Sequence, residues 1–276
     1  MSHPRPAPSD LPALVRAALS ATEEEGRGAP TTSDLSIDEE LSLHALAWEP
    51  VALTTGYAVV AVPAGVWQWG QGEIDIASAA HERAFTQALR RLESDVARTG
   101  AYGVVGVSVE REVAPSHIAV AVMGTAVRPR GTGARRGAPF VTDLSARDFA
   151  RLTASGWEPL GLATGASFVH APRRSIGTAL AQQTQNVELT NFTDALYGAR
   201  ERAVERLQRS ALSYQGAGIV EVTLEEGPLR FASHAVGFAA WGTVVRLAGD
   251  QHLPMSPTLV VSLDDETRAF EAHTLE

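Results

Sequence analysis

The sequence predicts an α+β protein in which one small domain occurs twice. Three observations point there. Matching segments recur in the same order in the two halves, each half carries one amphipathic helix, and each half carries strands with a two-residue alternation. Trp48 to Gly56 (WEPVALTTG) is matched by Trp157 to Gly165 (WEPLGLATG), and Gly103 to Glu110 (GVVGVSVE) by Gly218 to Glu225 (GIVEVTLE). Met123 to Arg128 (MGTAVR) is matched by Trp241 to Arg246 (WGTVVR). Three ordered matches whose offset grows through short loop insertions are the mark of a duplication.

Each copy begins with Asp-Leu-Ser, at Asp34–Ser36 and Asp143–Ser145, ahead of a short helical pattern. The first strand follows, over 50–62 and 159–170. The spacing of Phe85, Ala88, Leu89, Leu92 and Val96 then predicts a long helix over 77–99 with one buried face. Phe192, Leu196, Ala199, Ala203 and Leu207 repeat that stripe in copy two, with Thr190 or Asn191 as its N-cap. The hairpin strands alternate: Val105, Val107 and Val109 are set on one face against Ser108 and Glu110 on the other. Val220, Val222 and Leu224 do the same against Glu221, Thr223 and Glu225. The return strands, 118–127 and 236–245, are apolar on both faces, so they belong at the centre of a sheet or in an oligomer interface. Pro139–Leu144 reads as an edge strand closing copy one, and the run around Leu259-Val260-Val261 as its equivalent for copy two. These boundaries divide the chain into a flexible tail (1–33), repeat 1 (34–129), a Gly/Arg linker (130–138), repeat 2 (139–249) and a C-terminal extension (250–276) with an edge strand.

Composition excludes several chemistries. The chain has 276 residues; all 23 of its basic residues are arginine, and it has no cysteine. Without lysine there is no P-loop of the usual kind and no Schiff-base chemistry; without cysteine there is no thiol nucleophile, disulfide or thiolate metal site. A net charge of −9 argues against nucleic acid as a partner. No apolar run reaches the roughly 18–20 residues that span a bilayer, so no membrane association is expected. Met1–Asp10 has no apolar signal-peptide core, and the cytoplasm is the expected compartment. The arginine-only basicity, with high Ala, Gly and Val, looks like the coding bias of a GC-rich bacterial genome.

The frame of a long helix, Gly-Ala-x-Gly-[VI]-[VI], a strand, a turn and Gly-Thr-x-Val resembles the YbjQ family, also called the heavy-metal-binding domain family. In copy two the pattern includes Gln185–Leu189, Asn191-Phe192-Thr193, Ala195-Leu196-Tyr197, Ala199-Arg200-Glu201, Ser233-His234 and Gly242-Thr243. Copy one keeps the frame but diverges in its loop, Ala64–Gly70. The resemblance covers about Asp34–Gly249. It implies two tandem YbjQ-like domains, each an antiparallel sheet with one long helix and a short leading helix, and assembly into rings. It implies no known activity.

No catalytic set is legible. Phe85 stands where a second ligand of an H-E-x-x-H motif opened by His81-Glu82 would be, so His81 and Glu82 read as surface residues at a helix start. Gly131-x-Gly133-x-x-x-Gly137 has the wrong spacing for a dinucleotide fingerprint. Asn191-Phe192-Thr193 fits a glycosylation pattern but sits at a helix start without a secretion signal. No cofactor is required; a divalent metal could be held by His170, His234 and Glu188, the imidazole and carboxylate ligands of copy two. Trp67, Trp69 and Trp241 are candidates for a subunit interface or a ligand pocket. The expected partner is the chain itself, as a homo-oligomer in a ring, with an assembly or scaffold role and no enzymatic one. The alternative is a metal-ion or small-ligand module in repeat 2.

Overall fold

The computed structural model describes residues 32–68, 70–131, 138–172, 190–248, 260–261 and 269–270. All but the last two residues of the expected N-terminal tail, most of the linker, Trp69 and Glu188 lie outside them. The order of elements is α1 (Ile37–Ala45), β1 (Trp48–Ala61), β2 (Gly72–Glu73), α2 (Asp75–Thr99), β3 (Gly103–Val113), β4 (His117–Pro129), β5 (Phe140–Val141), α3 (Ala146–Ala154), β6 (Trp157–His170), α4 (Thr190–Leu212), β7 (Gly218–Leu229), β8 (Ala232–Leu247), β9 (Val260–Val261) and β10 (Ala269–Phe270). The fold is α+β, with two four-stranded sheets that are mostly antiparallel.

The sheets repeat one another in detail. One is ordered β1-β4-β3-β5 and the other β2-β6-β8-β7. The apolar return strands β4 and β8 are central in both. The β1–β4 register slips between Pro50 and Ala52, and the β6–β8 register slips between Pro159 and Gly161. The leading helices start alike, with Ser36 and Ser145 capping them through their hydroxyls. The long helices approach their first strands at the same point. A Cβ on Gly56 would stand 2.0 Å from the Ala88 carbonyl oxygen, and one on Gly165 2.1 Å from that of Ala203. Only glycine fits so close a strand–helix contact.

The expected alternation of Val105, Val107 and Val109 is broken. A bulge lies between Val105 and Ser108, with Gly106 at φ +66°. It puts Val104 and Val107 in the core under α2 and Val105 in a second core with Leu43 and Phe149. The β7–β8 pairing slips identically between Val220 and Thr223, with Glu221 at φ +52°.

The layers run sheet, helix, sheet, helix. Helix α2 packs on β1 and β4 and also reaches β6, whereas α4 packs on the opposite face of β6 and β8. Strand β6 is therefore buried on both faces: Leu162, Ala166 and Phe168 share the core of α2, and Ala163 and Val169 share that of α4. The corresponding outer face of β1 carries Tyr57 and Val59 into solvent. The C-terminal segment differs from expectation. Val260–Val261 pairs with Ala269–Phe270 in a separate two-stranded sheet, and among the described residues no strand lies on the outer edge of β7. No helix among them is long and apolar enough to cross a membrane.

Candidate functional site

The repeats are joined by strands that cross between them. The segment ahead of α3 belongs by sequence to repeat 2, yet it lies along β3 of repeat 1. Thr142 N–H donates to the Val104 carbonyl, Val107 N–H to that of Thr142 and Gly106 N–H to that of Leu144, at 3.0, 3.0 and 2.8 Å. Pro139–Leu144 thus closes the sheet of repeat 1 in parallel. Asp143 then turns back to its own repeat: the Thr243 hydroxyl donates to its Oδ1 at 2.5 Å, and Asp143 N–H donates to the Thr243 hydroxyl oxygen at 3.2 Å. Asp34 and Thr125 form the same pair in repeat 1. Asp143 is deeper. Burial pushes its carboxyl up to about 6, despite the hydrogen bond from Thr243, and Oδ2 has no hydrogen-bond partner.

The reciprocal crossing is β2, which leaves repeat 1 and pairs with Val169–His170 of β6. Burial acts to raise the Glu73 carboxyl, but hydrogen bonds from Arg206, Ser78 and Ser167 outweigh it and hold it below the usual range. Arg202 adds a longer contact at 3.7 Å. Farther along the junction, Arg111 pairs with Glu225 at 2.5 Å, its guanidinium 5.9 Å from the centre of the Trp241 ring.

Aromatic side chains fill the space between. Trp67 is buried in a turn rather than a strand, edge-on to Phe168 and Phe231 of repeat 2, with its indole N–H donating to the Pro115 carbonyl at 3.0 Å. Trp241 is buried in the same junction. His81 is a correction: it is fully buried beside Phe85 and Phe168, not a surface residue. Neither ring nitrogen has a hydrogen-bond partner, and burial, with Arg111 adding to it, pushes its pKa down to about 3. The ring is therefore neutral and serves as apolar packing. The helical stripe foretold the side of α2 against its own sheet. The second buried side was missed, because nothing in a single helix pattern announces a second sheet.

Several cavities open at this junction, two of them with linings that bear on the sequence-based expectations. A cleft of about 530 Å³ is lined by Gln68, Gly70, Gln71, Gly72, His170 and His234. It brings the two predicted histidines together from adjacent strands. His170 Nε2 lies 3.2 Å from the Val66 carbonyl oxygen, which only accepts, so Nε2 carries the proton and Nδ1 is the nitrogen left to bind. His234 is exposed, its ring centre 6.3 Å from that of Phe192. Among the described residues no three His, Cys, Asp or Glu side chains are grouped as metal ligands. The second cavity, about 590 Å³, is an aromatic groove with Trp48, Tyr102, Phe140, Phe149, Trp157 and Tyr214 in its walls. Glu93 beside it is raised by burial. The arrangement as a whole is a packed joint of aromatic, aliphatic and ion-paired groups.

The chain is 30% identical over 243 residues to the encapsulin nanocompartment protein Rv1762c of Mycobacterium tuberculosis, an alignment covering 84% of this chain and 92% of the relative. The chain belongs to that protein's family. An alignment of that length exceeds either repeat, so this family member shares both halves with the mycobacterial protein. No family model and no solved structure matches the chain.

Proposed function

We propose that the protein is a non-enzymatic assembly component, a homo-oligomer that takes part in a nanocompartment of the encapsulin kind. The observation that carries this reading is the relative, aligned over 84% of this chain, named as an encapsulin nanocompartment protein. The joint supports it: Glu73 and Ser78 of repeat 1 are hydrogen-bonded to Ser167, Phe168 and Arg206 of repeat 2, and the apolar faces that meet inside the chain have exposed counterparts at its two ends. We further propose that the repeats are YbjQ-like domains, on the motif pattern of copy two, that the oligomer closes as a ring, and that its compartment is the cytoplasm. Light scattering on the purified chain at micromolar concentration tests the core of this. A defined multimer is expected, and a monomer would overturn it.

A second reading is kept because one cleft holds both His170 and His234. On that reading repeat 2 takes a divalent metal, with Glu188 as a further ligand. Zinc titration by calorimetry decides it: His170→Ala and His234→Ala should each weaken binding at least tenfold, and unchanged binding dismisses the site.

A further inference from the structure

The contact between the two repeats is heterologous, since it joins different surfaces of two equivalent units. Repeat 1 contributes the edge of β3, the outer side of α2 and the side of α1 that packs on α3. Repeat 2 contributes the segment ahead of α3, α3 itself and the outer face of β6 and β8. Each contribution has an unused counterpart in the other repeat. Repeat 2 has the edge of β7, the outer side of α4 and the side of α3 turned away from α1; repeat 1 has the segment ahead of α1, the side of α1 that carries Ile37 and the outer face of β1 and β4.

These counterparts are apolar where the contact would need them to be. Val107 is buried in the joint, and its equivalent Val222 is 44% exposed; Leu224, equivalent to Val109, is 48% exposed. Ala166 and Phe168 are buried under α2, and their equivalents Tyr57 and Val59 are 55% and 48% exposed. Ala146 of α3 is buried against repeat 1, and its equivalent Ile37 is 79% exposed. Two complementary exposed faces at opposite ends of one chain fit a second copy of that chain.

We propose that copies join head to tail, resting on the homo-oligomer reading above, and that each joint repeats the contact inside the chain. Residues 32–35 of one copy lie in parallel along the edge of β7 of the next. Ser33 takes the place of Thr142: its N–H donates to the Ile219 carbonyl, and its carbonyl accepts from Val222 N–H. Glu221 N–H, at the bulge matching Gly106, donates to the Leu35 carbonyl. Tyr57, Val59 and Met123 of that copy cover the outer side of α4 and β7. One polar contact does not carry over. Arg111 and Glu225 correspond to Glu226 and Glu110, two carboxylates, so the joint between copies is weaker than the joint within a chain. Successive joints close a ring or extend a filament according to the rotation each imposes.

Two variants of the full chain test this. Val222→Asp with Leu224→Asp blocks the tail face, and Tyr57→Asp with Val59→Asp blocks the head face. All four positions are exposed in the chain, so both variants should keep the wild type's folded circular dichroism spectrum. Each alone should be monomeric by light scattering at a concentration where the wild type is multimeric, and an equimolar mixture should give dimers and nothing larger. Wild-type multimers that survive both pairs of substitutions overturn the head-to-tail joint and leave the oligomer reading standing; so does a mixture that stays monomeric. A monomeric wild type overturns both. A second measurement needs no destabilising change. The chain has no cysteine, so Thr32→Cys with Ile219→Cys places a thiol pair where Val141 and Val104 are register partners. Mild oxidation should give a ladder of covalent multimers, with at most dimers from either single variant. No ladder overturns the proposal, and is the result expected if the chain's own residues 257–264 occupy the β7 edge instead.

Discussion

Strands β3 and β7 are the same strand twice over, with the same bulge in the same place, yet they live in different surroundings. Val104 and Val107 of β3 are buried between α2 and an added parallel strand, whereas β7 is exposed along much of its length. Likewise β6 is covered on both faces and β1 on one. The difference is one of position, not of fold: whatever lies between the repeats is covered, and whatever lies at an end is not. The residues differ with it: at the left-handed bulge repeat 1 has Gly106 and repeat 2 has Glu221, Phe168 stands where repeat 1 has Val59, and Trp241 where it has Met123.

The largest effects should come where the repeats are still identical. Gly56→Ala and Gly165→Ala each drive a methyl into helix backbone, and each should cost about 4 kcal/mol or more in urea unfolding, or prevent folding. A mild effect at only one of them would break the equivalence. Next come the equivalent positions that differ in cover. Phe168→Ala should cost about 3–5 kcal/mol through the cavity it leaves, while Val59→Ala should cost under roughly 1 kcal/mol in the monomer. Equal losses would mean that the exposed face of repeat 1 is not bare.

His81 gives the third contrast, since repeat 2 has Leu196 at the corresponding position. Unpaired buried polar groups cost about 1–3 kcal/mol, so His81→Leu should stabilise the chain by that order at pH 7. The gain should widen in acid. With a folded pKa of about 3 against about 6.5 unfolded, the unfolded wild type takes up the extra proton between those values, and stability falls by up to about 1.4 kcal/mol per pH unit. Asp143 works the other way. Its folded carboxyl titrates near 6, so its contribution is fully present below the unfolded carboxylate pKa of about 3.9 and is lost as pH rises through 6. Both chains keep Asp143, so the difference between their pH profiles isolates His81; a constant difference would contradict its neutrality. The smallest effect is at the bulge. Glu221→Gly should stabilise by about 0.5–1 kcal/mol by removing a side chain from a left-handed backbone position, as seen in thermal unfolding.

Local physics made much of this legible in advance. The two long helices, the central return strands, the duplication and the edge strand at Pro139–Leu144 follow from periodicity and internal matching. The bulge was not legible in repeat 2, because Glu221 carries no sign of a positive φ; Gly106 was the available hint. His81 was misread because its neighbour Glu82 is exposed and because its burial is imposed by Phe168, distant in sequence. His170 and His234 could be paired from strand adjacency alone. The role of Trp67 depended on a turn that no pattern specifies. The crossing strand β2 is two residues long, too short for any periodicity.

Pro129 at the end of β4 and Phe140 of β5 are separated by only ten residues of chain. That tether keeps the segment that closes repeat 1 at an effective concentration on the order of millimolar, however dilute the protein. In an oligomer built from the same joint throughout, alternate joints would then be unimolecular and insensitive to dilution, and the rest bimolecular. Such an assembly comes apart in units of whole chains and reforms from them, with half of its contacts already made before any two copies meet.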